Sequence, residues 1–175
     1  MRRFFYPVLL LVATMAIAWF HVSVWILWPV AGTIVNFVIV EILLIALFRS
    51  WSLALTMSVV AGITLGQYSV WSVAYPAALM SLVLGTRLIL RRWIATRSSA
   101  SLIAAAGVAT IMYYLVLNLI ASALHRFASA PLGPDWSGTW PSVLTQTLIH
   151  PVLVYVFWRR FSGGTYARTN SQQPF

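Results

Sequence analysis

The sequence predicts an all-α integral membrane protein, a six-transmembrane-helix bundle with both N and C termini cytoplasmic. Three observations carry this expectation. The chain is 61% hydrophobic and 7% charged, with a mean hydropathy of +0.89, whereas soluble domains carry about 25% charged residues. Six apolar segments approach the roughly 20 residues that a span needs, and polar breaks with Gly or Pro separate most of them. Once six spans are drawn, ten of the eleven arginines fall on one side of the membrane.

The spans read as about 5–27, 34–48, 52–70, 74–90, 101–124 and 141–158, within one transmembrane domain over 1–161. The first opens with "MRRFFYPVLLLVATMAIAWF", which mimics a secretory signal with "AIA" as its cleavage site. Apolar character continues past that point through Trp28, so the segment reads as a retained first helix. The second and third spans are separated by "RSWS". One continuous helix from Ile34 to Gly66 would run about 50 Å and overshoot the bilayer core. Arg49 and Trp51 therefore mark a tight cytoplasmic turn, with the third span running on toward Tyr68 or Val70. An inner loop, "RRWIATRSSAS", separates spans four and five, and an outer loop, "HRFASAPLGPDWSGTW", separates spans five and six. Residues 162–175 read as a short polar cytoplasmic tail.

With the N-terminus inside, Arg2, Arg3, Arg49, Arg87, Arg91, Arg92, Arg97, Arg159, Arg160 and Arg168 lie at cytoplasmic ends, and Arg126 lies outside. Trp28, Tyr68, Trp71, Trp136 and Trp140 cluster at outer ends, and Trp51, Trp93 and Trp158 at inner ends, as interfacial belts require. The net charge of +9 is spread between apolar runs, with no long basic face. It therefore reads as topology and attraction to the lipid bilayer, with no nucleic acid among the expected partners. The absence of Cys excludes disulfides, thiolate metal sites and Cys nucleophiles.

Small residues let membrane helices approach closely. Ser58, Gly62 and Gly66 on span three, Ala77, Ser81 and Gly85 on span four, and Ser101, Ala105 and Ala109 on span five form stripes one turn apart. They predict that these three spans form a close-packed core. Polar residues inside the spans are the candidate sites. Glu41 lies eight residues before Arg49, about 12 Å deeper along a helix, hence near the midplane. Asn36 precedes it on the same span. Span five carries Tyr114, Asn118, Ser122 and His125, and span six carries Gln146 and His150, with Pro151 beside the histidine. These residues either line a substrate path or hydrogen-bond one another across helices. A Glu41–His150 pair is one arrangement they allow. The three histidines, His21, His125 and His150, lack metal-ligand spacing. No nucleotide-binding or nucleophile motif occurs, and Asp135 falls in the outer loop while Glu41 lies well inside, so a carboxylate dyad is not expected. Neither catalytic residues nor a cofactor are predicted.

Residues 62–120, "GITLGQYSVWSVAYPAALMSLVLGTRLILRRWIATRSSASLIAAAGVATIMYYLVLNLI", resemble the small six-span MreD-like family of rod-shape-determining proteins. The resemblance runs through Gly62, Tyr68 and Ser69, then Arg91, Arg92, Thr96, Arg97 and Ser98, then Tyr113 or Tyr114. Asn36 looks like the residue that opens the family's second span, and "LTQTLIHPVLVYVFWRRF" is similar to its last helix. Gly66 or Gln67 stands where the family places an acidic residue, and Glu41 matches no family position.

The resemblance implies a non-enzymatic, multi-pass component of the bacterial inner membrane, a scaffold of the cell-elongation and peptidoglycan-synthesis machinery. It implies a MreC-like membrane protein as partner, with Arg91, Arg92 and Arg97 as cytoplasmic partner or lipid contacts. The family's fold is similar to the substrate-binding subunits of energy-coupling-factor vitamin transporters. That leaves a small-molecule transporter subunit, or a small membrane protein of another role, as alternatives. Under the transporter reading, outer loops at 67–74 and 126–140 cap a pocket, with Arg126, Asp135, Trp136 and Trp140 gripping a ligand. Otherwise the second of these is a surface loop with an aromatic anchor.

Overall fold

The computed structural model describes residues 2–28, 34–69, 72–93, 99–127 and 136–162, and among these all regular structure is helical. Six helices follow in order: α1 (Arg2–Leu27), α2 (Phe37–Phe48), α3 (Trp51–Gly66), α4 (Ala74–Trp93), α5 (Ser99–Phe127) and α6 (Trp136–Ser162). Each predicted span contains one helix. Arg97, Asp135 and the polar tail beyond residue 162 lie outside the described residues. Tyr6–Leu27 and Ala100–Phe127 are long and apolar enough to cross a membrane, while Phe37–Leu47, Trp51–Gly66 and Ala74–Ile89 are shorter apolar stretches.

α2 sits at the centre and touches α1, α3, α4 and α6. Apart from Glu41 its sequence is apolar all round, the pattern of a helix surrounded by protein. Val38, Ile39, Val40, Ile42, Leu43 and Ile45 are all buried, and they pack with Met57, Leu79, Leu82, Tyr113 and Val154 from the neighbours. α1 is the opposite. Val8, Leu9, Val12, Trp19, Phe20 and Trp25 are each more than half exposed. Such a continuous apolar surface is unstable against water and suits a lipid or protein environment.

The turn at "RSWS" forms as the sequence predicts. Arg49 caps α2 through its amide to the Ile45 carbonyl (2.9 Å), and the Ser50 hydroxyl accepts from the Leu53 amide to start α3. The Arg49 guanidinium lies 4.8 Å from the centroid of the Tyr6 ring, and that of Arg87 lies 4.5 Å from the centroid of the Trp51 ring. These cation–π contacts join α1 to α2 and α3 to α4 at one end of the bundle.

α3 does not run on to Tyr68. It ends at Gly66, where the amides of Tyr68 and Ser69 turn back onto the Leu65 and Gly66 carbonyls. The reason is the closeness of the returning chain. A Cβ on Gly62 would lie under 3.0 Å from the Pro76 backbone, and one on Gly66 would lie 2.5 Å from the Ser72 carbonyl oxygen. α3 and the start of α4 therefore meet backbone against backbone, which only bare glycines permit.

The stripe expected to pack on α4 is displaced by one residue. Ala74, Ala78, Leu82 and Thr86 are buried, whereas Ala77, Ser81 and Gly85 are half-buried, and nothing lies within 4 Å of a Cβ built on Gly85. One residue is about 100° of rotation. The Gly62–Pro76 contact sets that rotation and turns the small-residue stripe toward the surface. On α5 the expected positions Ala105 and Ala109 are fully buried, and Ser101 is half-buried.

Gly62→Ala is expected to lower stability by about 1–3 kcal/mol, the usual cost of overpacking against atoms that cannot yield. Gly85→Ala is expected to leave stability unchanged or raise it by up to about 1 kcal/mol through helix propensity. Thermal melts of the two variants in mild detergent, followed by circular dichroism, compare them directly. Equal effects at both sites would contradict this packing.

Candidate functional site: a buried polar network

α2 has 12 residues, against 29 in α5 and 27 in α6. Its N-terminal end meets α6 about midway along that helix, at His150. A helix start leaves up to four amide N–H groups without partners, and inside a protein each must find an acceptor. Asn36 supplies one: its side-chain oxygen accepts from the amides of Val38 (3.1 Å) and Ile39 (3.2 Å). Its own amide donates across to His150 Nε2 at 3.0 Å. Asn36 is 7% exposed and His150 fully buried.

This bond dictates the state of the imidazole. An amide N–H can only donate, so Nε2 carries no proton, and the neutral ring holds it on Nδ1. Nδ1 lies 3.4 Å from Thr110 Oγ1. The Thr110 hydroxyl donates to the Ala106 carbonyl (2.9 Å), which leaves its oxygen free to accept from the ring. One turn further on each helix, the Tyr114 hydroxyl donates to Gln146 Oε1 at 2.5 Å. It also faces the Asn36 side chain. Asn118 Nδ2 turns back onto the Tyr114 carbonyl (2.9 Å), and Ser122 lies half-buried one turn beyond.

α5 and α6 also meet at this level at ordinary contact distance. Pro151 has no N–H, so its helix leaves the Thr147 carbonyl without the usual partner. Gly107 faces that spot from α5, where a Cβ would lie 3.6 Å from Pro151 Cγ and 3.8 Å from the Thr147 oxygen.

Glu41 is not paired with His150, because both ring nitrogens of the histidine are already engaged. Instead, Glu41 Oε1 accepts from Thr14 Oγ1 on α1 at 2.7 Å. Glu41 Oε2 and His21 Nδ1 are the two buried side-chain atoms without a hydrogen-bond partner among the described residues. His21 stands two turns from Thr14 on α1, with its ring edge-on to Phe37 (6.4 Å between centroids).

Asn36, Tyr114, Gln146 and His150 are thus brought together, Asn118 adjoins them, and Glu41 stands apart. Thr14 and Thr110 complete the picture without having been singled out from the sequence, together with His21, which the sequence raised only against metal-ligand spacing. Thr110 was within reach, since it extends the Tyr114–Asn118–Ser122 stripe by one turn. Thr14 carried no such signal. Arg91 and Arg92 belong to the last turn of α4. Among the described residues no group of three or more potential metal ligands occurs.

No family model, curated protein or solved structure matches the chain. Among the described residues, fold and site define an all-helical protein with two helices apolar and long enough to cross a membrane, whose buried polar side chains bind one another across helices.

His150→Leu is expected to cost about 1–3 kcal/mol, because it strands the Asn36 amide in the interior. The same melts measure it, and an unchanged midpoint would show that the bond contributes nothing. Glu41→Gln retains an oxygen for Thr14 and removes an ionisable group, so stability is expected to hold or rise. A clear loss would mean that the carboxylate has a partner besides Thr14.

Proposed function

We propose that the protein is a non-enzymatic, six-span scaffold of the bacterial cytoplasmic membrane, with both termini cytoplasmic, acting in the cell-elongation machinery as MreD-like proteins do. The observation that carries this reading is the closed character of the polar network. Asn36, Thr110, Tyr114, Gln146 and His150 spend their donors and acceptors on each other and on backbone. A substrate path would leave several of them facing a cavity.

Further support comes from the ends of the bundle. Arg49 and Arg87 stack on aromatic rings at one end, the end that six spans would put inside. The ring pair Trp19–Tyr68 lies at the other end. Gly62 and Tyr68, which carry the family resemblance, flank the tight α3–α4 turn, and Tyr113 is buried in the core. Under this reading the partners are the bilayer and a MreC-like membrane protein, with Arg91, Arg92 and Arg97 at the cytoplasmic surface. The second reading, a transporter's substrate-binding subunit, draws on the unpartnered atoms of Glu41 and His21.

The chain has no native cysteine, so single cysteines report topology without background. A membrane-impermeant thiol reagent is expected to label Ser129→Cys in intact spheroplasts, and Ser98→Cys and Thr169→Cys after the membrane is opened. Depletion from a rod-shaped host is then expected to round the cells. Unchanged rods would sink the elongation role, and thermal stabilisation by a vitamin-like molecule would move the assignment to the transporter subunit.

A further inference from the structure

We propose that the groove between α4 and α5 binds one anionic phospholipid, with an acyl chain lying over Gly85 and the phosphate held by Arg87. The inference rests on the membrane reading above, shares the Arg87–Trp51 contact with it, and adds the groove beside Gly85.

The groove is an open cleft of about 530 Å³, within the range of small-ligand sites. Its floor is Gly85, the position on α4 whose missing side chain leaves open space. Leu84, Leu88 and Met112 form apolar walls, and all three are more than a third exposed. Ser81 also lines the groove, but its hydroxyl donates to the Ala78 carbonyl of its own helix at 2.7 Å. The slot therefore offers a ligand hydrocarbon contact along most of its length. Such a surface fits an acyl chain and disfavours a polar solute, which would lose hydration without gaining partners.

Charge appears at one end only. Arg87 lines the groove there with its guanidinium against the Trp51 ring. The chain has two carboxylates; Glu41 is engaged by Thr14 on α1, and among the described residues no carboxylate pairs with Arg87. The ring fixes one face of the guanidinium, leaving its N–H edge for an acceptor. A planar fork of donors suits phosphate oxygens. Arg91 follows one turn later on the same helix. An apolar slot ending in a cation that no described carboxylate pairs is the complement of a lipid with an anionic headgroup.

The test uses purified full-length protein in neutral detergent, melted with phosphatidylglycerol, with phosphatidylcholine of the same chains, or with soluble glycerol phosphate. Phosphatidylglycerol is expected to raise the melting temperature, phosphatidylcholine to do so less, and glycerol phosphate not at all. Arg87→Gln is expected to remove most of the preference between the two lipids, about fivefold in apparent affinity for one interfacial cation. Gly85→Leu projects into the slot, and its Cβ has no neighbour within 4 Å. It is expected to melt no lower than wild type without lipid, yet to lose the response to both lipids. A full phosphatidylglycerol response in both variants overturns the proposal, as does an equal response to glycerol phosphate. So does a wild-type dimer by light scattering that Gly85→Leu dissociates while lipid has no effect, since a second copy then fills the groove. Failure here with the cysteine topology intact refutes the lipid site alone, whereas wrong topology refutes the membrane reading beneath it.

Discussion

The amide of Asn36 and Nε2 of His150 meet at 3.0 Å, and this bond allows α2 to begin inside the protein. Without it, a buried helix start would leave a donor stranded at a cost of about 1–3 kcal/mol. The Asn36 side chain takes two further amides. With these amides engaged, α2 can be apolar at every position but Glu41 and serve as the post around which α1, α3, α4 and α6 gather. The state of His150 follows from the same bond. Its acceptor nitrogen is committed to the backbone, and Thr110 takes the proton of the other. A histidine so fixed is a structural group, held neutral by the bonds it makes.

A second constraint acts through absent side chains. Gly62 and Gly66 let α3 lie against the Pro76 and Ser72 backbone, whereas a Cβ at Gly107 would make only ordinary contacts with Pro151 and Thr147. At the first two positions a proline or a returning turn brings backbone close, and a glycine receives it. The α3–α4 contact sets the rotation of α4, which decides that Gly85 faces outward. The same residue type thus closes an interhelical contact at one position and opens a groove at another.

Glu41 shows where physical expectation and outcome part. A carboxylate in an apolar run invites pairing with the nearest buried base, yet the bundle gives it a threonine from α1. Asn36 and Glu41 are five residues apart on one chain segment, which places them on different sides of α2. His150 meets the former, so it cannot meet the latter. The polar groups of α5 and α6 behave as cross-helix connections, whose individual worth in such an environment is about 1 kcal/mol. Glu41 and His21 retain unpartnered atoms, and these mark the α1–α2 contact as the part of the bundle least accounted for by internal structure.

Composition and hydropathy by themselves determined the helical class and the six described helices, because a backbone buried among apolar side chains has to satisfy its own hydrogen bonds and a helix does so locally. The turn at "RSWS" was legible for the same reason, since no single helix of that length fits. The polar stripes on α5 and α6 were legible too, being periodicities within one helix. The tertiary structure alone decided who meets whom: Asn36 with His150, Glu41 with Thr14, and Ala78 rather than Ala77 toward the core. Those outcomes depend on the rotation of each helix about its axis. Where every face is apolar, the sequence of one helix does not encode that rotation; contacts such as Gly62 on Pro76 impose it from outside.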